Sequence, residues 1–170
     1  FWEVLTQYVN QADTVGNALN YNSPSMFSIF GNANPNLWSN LGIVLAFAFM
    51  FAVFFFAVVK KDSLSDKKIL GLTLLLVIGI PFLLPHMHDR YFYLADVLSL
   101  VLAFTAPAFF PLPCLVQFAS YLSYYAYLNM RFLVHPRIGG ECMLVAFIIV
   151  IVYLLTEGSN RSLISKKKHV

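Results

Sequence analysis

The sequence predicts an all-α membrane protein: about five transmembrane helices with an amphipathic helix on the outer surface. Three observations predict it. Hydrophobic residues make up 59% of the 170-residue chain and charged ones only 11%, where a soluble domain carries about 25% charged. Five stretches approach the roughly 20 apolar residues that cross a hydrocarbon core about 30 Å thick. The lysines collect in two places instead of scattering.

The N-terminal stretch reads as a surface helix. Phe1, Leu5, Tyr8, Ala12, Val15 and Leu19 recur by four and three, one face of a helix. Glu3, Gln7, Asn10, Asp13 and Asn17 fall elsewhere on it. A helix this polar does not span; it is expected to lie in the lipid interface. The following "NYNSPSMFSIFGNANPN" is a loop rich in Asn, Ser, Pro and Gly. Together they form an external unit over 1–36, ahead of a bundle over 37–170. The spans are expected at Trp38–Val59, Ile69–Pro85, Tyr91–Ala108, Cys114–Val134 and Cys142–Thr156. Only "PAFFPLP" separates the third from the fourth, so those two form a tight helical hairpin or a broken pair. Cys114 and Cys142 show no metal spacing and read as buried thiols. The chain begins on Phe1 and reads as a piece of a longer or processed protein. No basic, apolar and small-residue sequence of a signal peptide is seen.

Short cytoplasmic loops collect positive charge. Lys60, Lys61, Lys67 and Lys68 share the first loop, and Lys166, Lys167 and Lys168 lie near the end. Four spans separate the clusters, an even number, so both are expected on the cytoplasmic side of a cell membrane. Asn160, in a glycosylation-type sequon, falls on that side and is expected to carry no glycan. The segments "HMHDR" and "NMRFLVHPRIGGE" then face outward. Arg90, Arg131 and Arg137 lie in them, while every lysine is on the other side. Arginine offers a planar fork that suits phosphate and carboxylate. Anchoring to lipid headgroups and a functional role both fit Arg137; for Arg90 the neighbours favour function. The net charge of +3 points to no nucleic-acid partner.

Those neighbours are dense. If a helix follows Pro85, then His86, Asp89, Tyr93 and Asp96 are spaced three, four and three and share one face. Asp96 lies inside an apolar stretch, where an acid marks function by default. On the fourth span Gln117, Tyr121, Tyr124 and Arg131 repeat by four, three and seven, and its end leads into His135 and Arg137. The two external loops are expected to meet around a polar, cationic cavity. Three uses compete. "HMH" could bind a metal, but two His at i, i+2 do not both point inward from a helix, and no standard ligand set accompanies them. Asp96 with His86 or His88 could relay protons in a transporter or flippase. The arginines and histidines could hold the phosphate of a lipid-linked substrate while the carboxylates orient or discharge the leaving group.

"LPHMHDRYFYLAD" resembles the "PHMHERYF" signature of bacterial polytopic sugar transferases related to the second mannosyltransferase of GPI-anchor synthesis, in the GT-C superfamily. "NPNLWSNLG" resembles their "NAPNLWALLG" ahead of a membrane span. The resemblance implies a glycosyltransferase with a polyprenyl- or dolichyl-phosphate sugar donor, acting on the non-cytoplasmic face. His86, His88, Asp89, Arg90 and Tyr91 match the motif by position; the family's Glu is Asp89 here. Asp89 and His88 are the catalytic candidates. His86, Arg90, Tyr91, Tyr93, Asp96, Arg131, His135 and Arg137 are the substrate- and phosphate-binding candidates. No cofactor is expected, though a divalent cation is compatible, and no residue is assigned as a metal ligand. The acidic motif that the superfamily usually keeps in its first external loop is missing; Glu3 and Asp13 do not match it. The chain therefore resembles the C-terminal half of such an enzyme. It is expected to be inactive alone and to need its N-terminal half or a partner membrane subunit, besides membrane lipid.

Overall fold

The computed structural model describes residues 18–30 and 34–167, with side chains to residue 156. The surface helix expected over residues 1–19 lies, but for its last two residues, outside the described residues, as does Lys168. The rest is all-helical apart from one pair of two-residue strands. The order is β1 (Asn20–Tyr21), α1 (Met26–Ile29), α2 (Pro35–Val59), α3 (Asp66–Leu83), β2 (Met87–His88), α4 (Tyr93–Thr105), α5 (Pro111–Asn129) and α6 (Pro136–Lys167). Single 3-10 turns sit at Lys61–Ser63, Asp89–Phe92 and Pro107–Phe109.

Proline sets most of these limits. α2, α5 and α6 start on Pro35, Pro111 and Pro136, where the missing N–H is no loss and the fixed φ suits a first turn. α3 stops at Leu83 because Leu84, ahead of Pro85, is pushed to extended backbone (φ −73°, ψ 139°). α4 stops at Thr105 for the same reason, Ala106 preceding Pro107. α5 ends where Met130 turns left-handed (φ 49°).

α3 and α6 form the centre. α3 packs against α2, α4 and α6, and α6 against α1, α3 and α5. Leu74, Ile78, Leu102, Leu112, Val116, Met143 and Val150 meet in one core. α2 lies at the edge and buries only Gly42, Ala46 and Val53, a seam of small residues. Its other faces are apolar too: Phe47, Phe51, Phe54 and Phe55 are all more than half exposed. Water would penalise such a surface; lipid tails would not. α2 and the first 21 residues of α6 are long and apolar enough to cross a membrane. The other three expected spans do not meet that description. α3 opens on Asp66, Lys67 and Lys68, α4 is 13 residues long, and α5 carries Gln117, two serines and four tyrosines.

Glycine lets the helices touch. A Cβ on Gly42 would stand 2.7 Å from the Leu83 carbonyl oxygen, and one on Gly140 would stand 2.9 Å from that of Ser25. These contacts bring the start of α2, the end of α3, α1 and the start of α6 to one end of the bundle. At the other end the Tyr153 hydroxyl donates to the Lys67 carbonyl (3.3 Å). The turn between α4 and α5 is there too, Phe109 lying edge-on to Tyr153 at 4.8 Å. The first lysine cluster and the "HMHDR" segment therefore occupy opposite ends. Lys60, Lys61 and Lys67 are exposed, whereas Lys68 is buried. Both cysteines are free. Cys114, expected to be buried, is exposed, because the buried face of α5 runs through Leu112, Pro113, Val116 and Ala119 instead.

Candidate functional site

The "HMHDR" segment is not the start of a helix. His86 adopts left-handed backbone (φ 59°). Its N–H donates to the Leu19 carbonyl (2.8 Å), and its ring Nδ1 lies 2.8 Å from the Ala18 carbonyl. Met87 and His88 then pair in parallel with Asn20 and Tyr21, and Asn22 bridges to His88. The chain enters α4 only after the turn Asp89–Phe92. The expected common face of His86, Asp89, Tyr93 and Asp96 therefore breaks up, and only Tyr93 and Asp96 share a helix. Backbone groups from a segment far upstream compete successfully for the amides that a helix would have used.

Each side chain of the segment has its own surroundings. The His88 ring stacks on Tyr21 at 4.9 Å and is tilted against Tyr91 at 6.2 Å. Asp89 is buried, at 8% exposure. Arg90 is exposed, its guanidinium 5.8 Å from the centre of the Tyr91 ring. Tyr91 also walls an apolar groove of about 450 Å³ between α3 and α4, lined by Leu76, Ile80, Pro81, Leu84 and Leu94 among others. The arginine thus stands at the edge of a greasy channel.

Asp96 faces α5. Ser120 Oγ donates to its carboxylate at 2.7 Å, and the Tyr124 hydroxyl lies near enough to interact with the same group. Asp89 and Tyr93 lie close enough to act electrostatically on that hydroxyl. The face expected from spacing runs through Gln117 and Tyr121, both of which are exposed, and leaves out Ser120. The signal was present, since Ser120 stands four residues before Tyr124. Tyr21, the stacking partner of His88, had no signal at all in the spacing.

The loop between α5 and α6 stays apart from this cluster. α5 ends before Arg131, so Arg131 shares no helical face with Tyr124. Arg131 and His135 are exposed. The His135 ring accepts from the Arg137 N–H (3.3 Å), and the Arg137 side chain pairs with Glu141 at 2.7 Å. That pair is about half exposed and worth at most about 1 kcal/mol. The loop reaches the motif only indirectly: Phe132 and Val134 line a small pocket with Asn22 and Ser23, the stretch that pairs with β2. The single cationic cavity expected from the sequence is thus divided: an exposed Arg90 beside the apolar groove, a buried Asp89, an Asp96 bonded to α5, and an outer arginine loop. No group of three or more His, Cys, Asp or Glu converges as a metal cage among the described residues.

His86 clamps the segment, and the clamp is measurable. His86→Ala removes one side-chain hydrogen bond, about 1 kcal/mol, and puts alanine in backbone it disfavours. His86→Gly loses the same bond but suits the positive φ. The alanine variant is therefore expected to unfold at the lower temperature, with faster hydrogen exchange at Tyr21 and His88. Unchanged exchange in both variants would mean that the histidine holds nothing.

Compared with known protein families, curated proteins and solved structures, the chain matches none of them.

Proposed function

We propose that the chain is the C-terminal membrane module of a glycosyltransferase that takes its sugar from a polyprenyl- or dolichyl-phosphate on the non-cytoplasmic face. One observation carries the reading. Arg90, stacked over Tyr91, stands beside an apolar groove of about 450 Å³ that opens between α3 and α4. A lipid phosphate needs both a forked cation for its head and an apolar track for its tail. The resemblance of "PHMHDRYF" to the mannosyltransferase signature supplies the sugar. In this reading five helices cross the bilayer. α4 reaches from one end of the bundle to the other with the help of its flanking 3-10 turns, although its own rise is only about 20 Å. The catalytic base comes from an N-terminal half or a partner subunit, and His88 and Asp89 act beside the donor phosphate.

Two experiments test this reading. Single cysteines in a background lacking Cys114 and Cys142 report sidedness: positions 88 and 135 should label from outside and position 64 only after permeabilisation. Labelling of position 64 from outside would invert the orientation and end the reading. A photoreactive polyprenyl-phosphate should crosslink to the groove, and the added bulk of Ile80→Trp should block it. Crosslinks spread evenly over α2 would mean bulk lipid contact only.

A second reading is favoured by Asp96, which bonds to Ser120 between α4 and α5: a transporter or flippase module with an intramembrane His/Asp site. It predicts lipid or solute movement with no sugar transfer by the full-length protein.

A further inference from the structure

Away from the motif, toward the first lysine cluster, α2, α3 and α6 leave an apolar cleft of about 220 Å³ between them. Phe49, Val53 and Phe56 wall it from α2, Leu72 and Leu75 from α3, and Leu154 from α6. Its floor is core, since Val53, Leu72, Leu75 and Leu154 are buried. Its rim is open, with Ala52 and Phe56 exposed. Both long walls run out into lysine. On α2, Phe49, Val53 and Phe56 lead to Lys60 at spacings of four, three and four, so Lys60 continues the face that lines the cleft. On α3, Lys68, Leu72 and Leu75 are spaced four and three and share one face. Each lysine stands one turn, about 6 Å, beyond the nearest lining residue. α6 is tied to the same end by the Tyr153 hydroxyl, which donates to the Lys67 carbonyl (3.3 Å). Lys68 is 8% exposed, a burial that lysine almost never accepts unless paired. The one ion pair among the described residues, Arg137 with Glu141, is at the other end of the bundle. Asp62 and Asp66, the acids nearest in sequence, are exposed and pair with neither lysine.

We propose that this cleft seats one acyl chain of an anionic phospholipid, whose phosphodiester lies between Lys60 and Lys68. The two halves of the site ask for one molecule. The cleft has no polar lining residue and takes hydrocarbon, while its mouth carries two cations that lack an acid among the described residues. A phosphodiester supplies that missing charge through charge-assisted hydrogen bonds, strengthened beside low-dielectric material. A zwitterionic lipid brings the same chain, but its own ammonium offsets the attraction. Basic segments beside a membrane draw anionic lipid diffusely; the cleft turns that attraction into a place. The groove beside Arg90 is a different one, lined from α3 by Leu76, Ile80 and Leu84. The proposal rests on α2 and α6 being membrane helices and not on the transferase reading.

The test titrates the purified chain in a non-ionic detergent with phosphatidylglycerol, and with phosphatidylcholine of the same acyl chains, and counts bound lipids by native mass spectrometry. One phosphatidylglycerol is expected to bind at least about tenfold tighter than phosphatidylcholine, the worth of one charged hydrogen bond. Lys60→Gln should remove most of that preference, and so should Lys68→Met, which keeps the buried stem. Ala52→Trp should fill the open side of the cleft and weaken both lipids. Lys61→Gln is the control: Lys61 is exposed on the 3-10 turn and on neither wall, so its loss should leave the preference within about twofold. Should Lys68→Met fail to fold, Lys60→Gln and Ala52→Trp, both at exposed positions, decide the matter. Equal binding of the two lipids by wild type overturns the site. Equal losses in Lys61→Gln and Lys60→Gln also overturn it, in favour of diffuse attraction. Full competition by glycerol 3-phosphate would reduce it to an anion site without a chain. Unchanged binding in Ala52→Trp, or a lipid-free dimer as the main species, would take the cleft away from lipid.

Discussion

Arg90→Lys in the full-length protein is expected to lower sugar transfer from a polyprenyl-phosphate donor by roughly ten- to a hundredfold. Lysine keeps the charge and loses the fork. One charge-assisted hydrogen bond is worth about 1.5–3 kcal/mol, and each step of about 1.4 kcal/mol is tenfold. The lysine also gives up the guanidinium's contact with the Tyr91 ring, whose centre lies 5.8 Å from it. Arg90→Ala should cost more than Arg90→Lys, since the charge goes too. A headgroup anchor makes a different forecast: lysine snorkels as well as arginine, so the two proteins turn over alike. A transporter shows no transfer in either form. Donor turnover in detergent, wild type against Arg90→Lys, separates the three, and equal turnover ends the phosphate assignment.

Gly42→Leu should have the largest effect on the fold. The Cβ alone would come 2.7 Å from the Leu83 carbonyl oxygen and from the Phe27 ring. The ring can swing, but the carbonyl is backbone, so α2 must move off α3. Overpacking of this kind costs about 1–3 kcal/mol and sometimes more. α2 has little else to hold it, since it buries only Gly42, Ala46 and Val53. Gly139→Ala is the control. Its nearest contacts are 3.7 Å away, and alanine favours a helix by up to about 1 kcal/mol. Thermal unfolding in micelles should therefore fall sharply for Gly42→Leu and hold or rise for Gly139→Ala. Equal behaviour of the two would mean that the α2–α3 approach is not close.

What was legible without any structure was the helical content and the breaks at Pro85 and "PAFFPLP"; the fourth span, expected to reach Val134, stops at Asn129, and the last, expected from Cys142, starts at Pro136. A chain with 59% hydrophobic residues and proline at the breaks leaves helices little freedom over where to begin and end. Pro35, Pro85, Pro107 and Pro111 mark ends by removing an N–H or by forbidding helix in the residue before them. The lysine cluster and the polar motif were also legible as opposite ends, because charge avoids the apolar middle. The candidate site was only half legible. Asp96 in an apolar run announced a protein partner, and that partner is on α5.

What the tertiary structure decided was how the motif is used. Helical spacing puts His86, Asp89, Tyr93 and Asp96 on one face, because periodicity assumes that local hydrogen bonds win. Here Leu19, Asn20 and Tyr21 take the backbone of His86, Met87 and His88. A strand pair between segments so far apart has no period to read. Once that pairing is made, the chain must turn at Asp89–Phe92, and the turn drives Asp89 inward and Arg90 outward. Residue types and their order came from the sequence. The division of the motif into a buried acid and an exposed cation came from a long-range contact, which depends on which surfaces meet and not on local propensity.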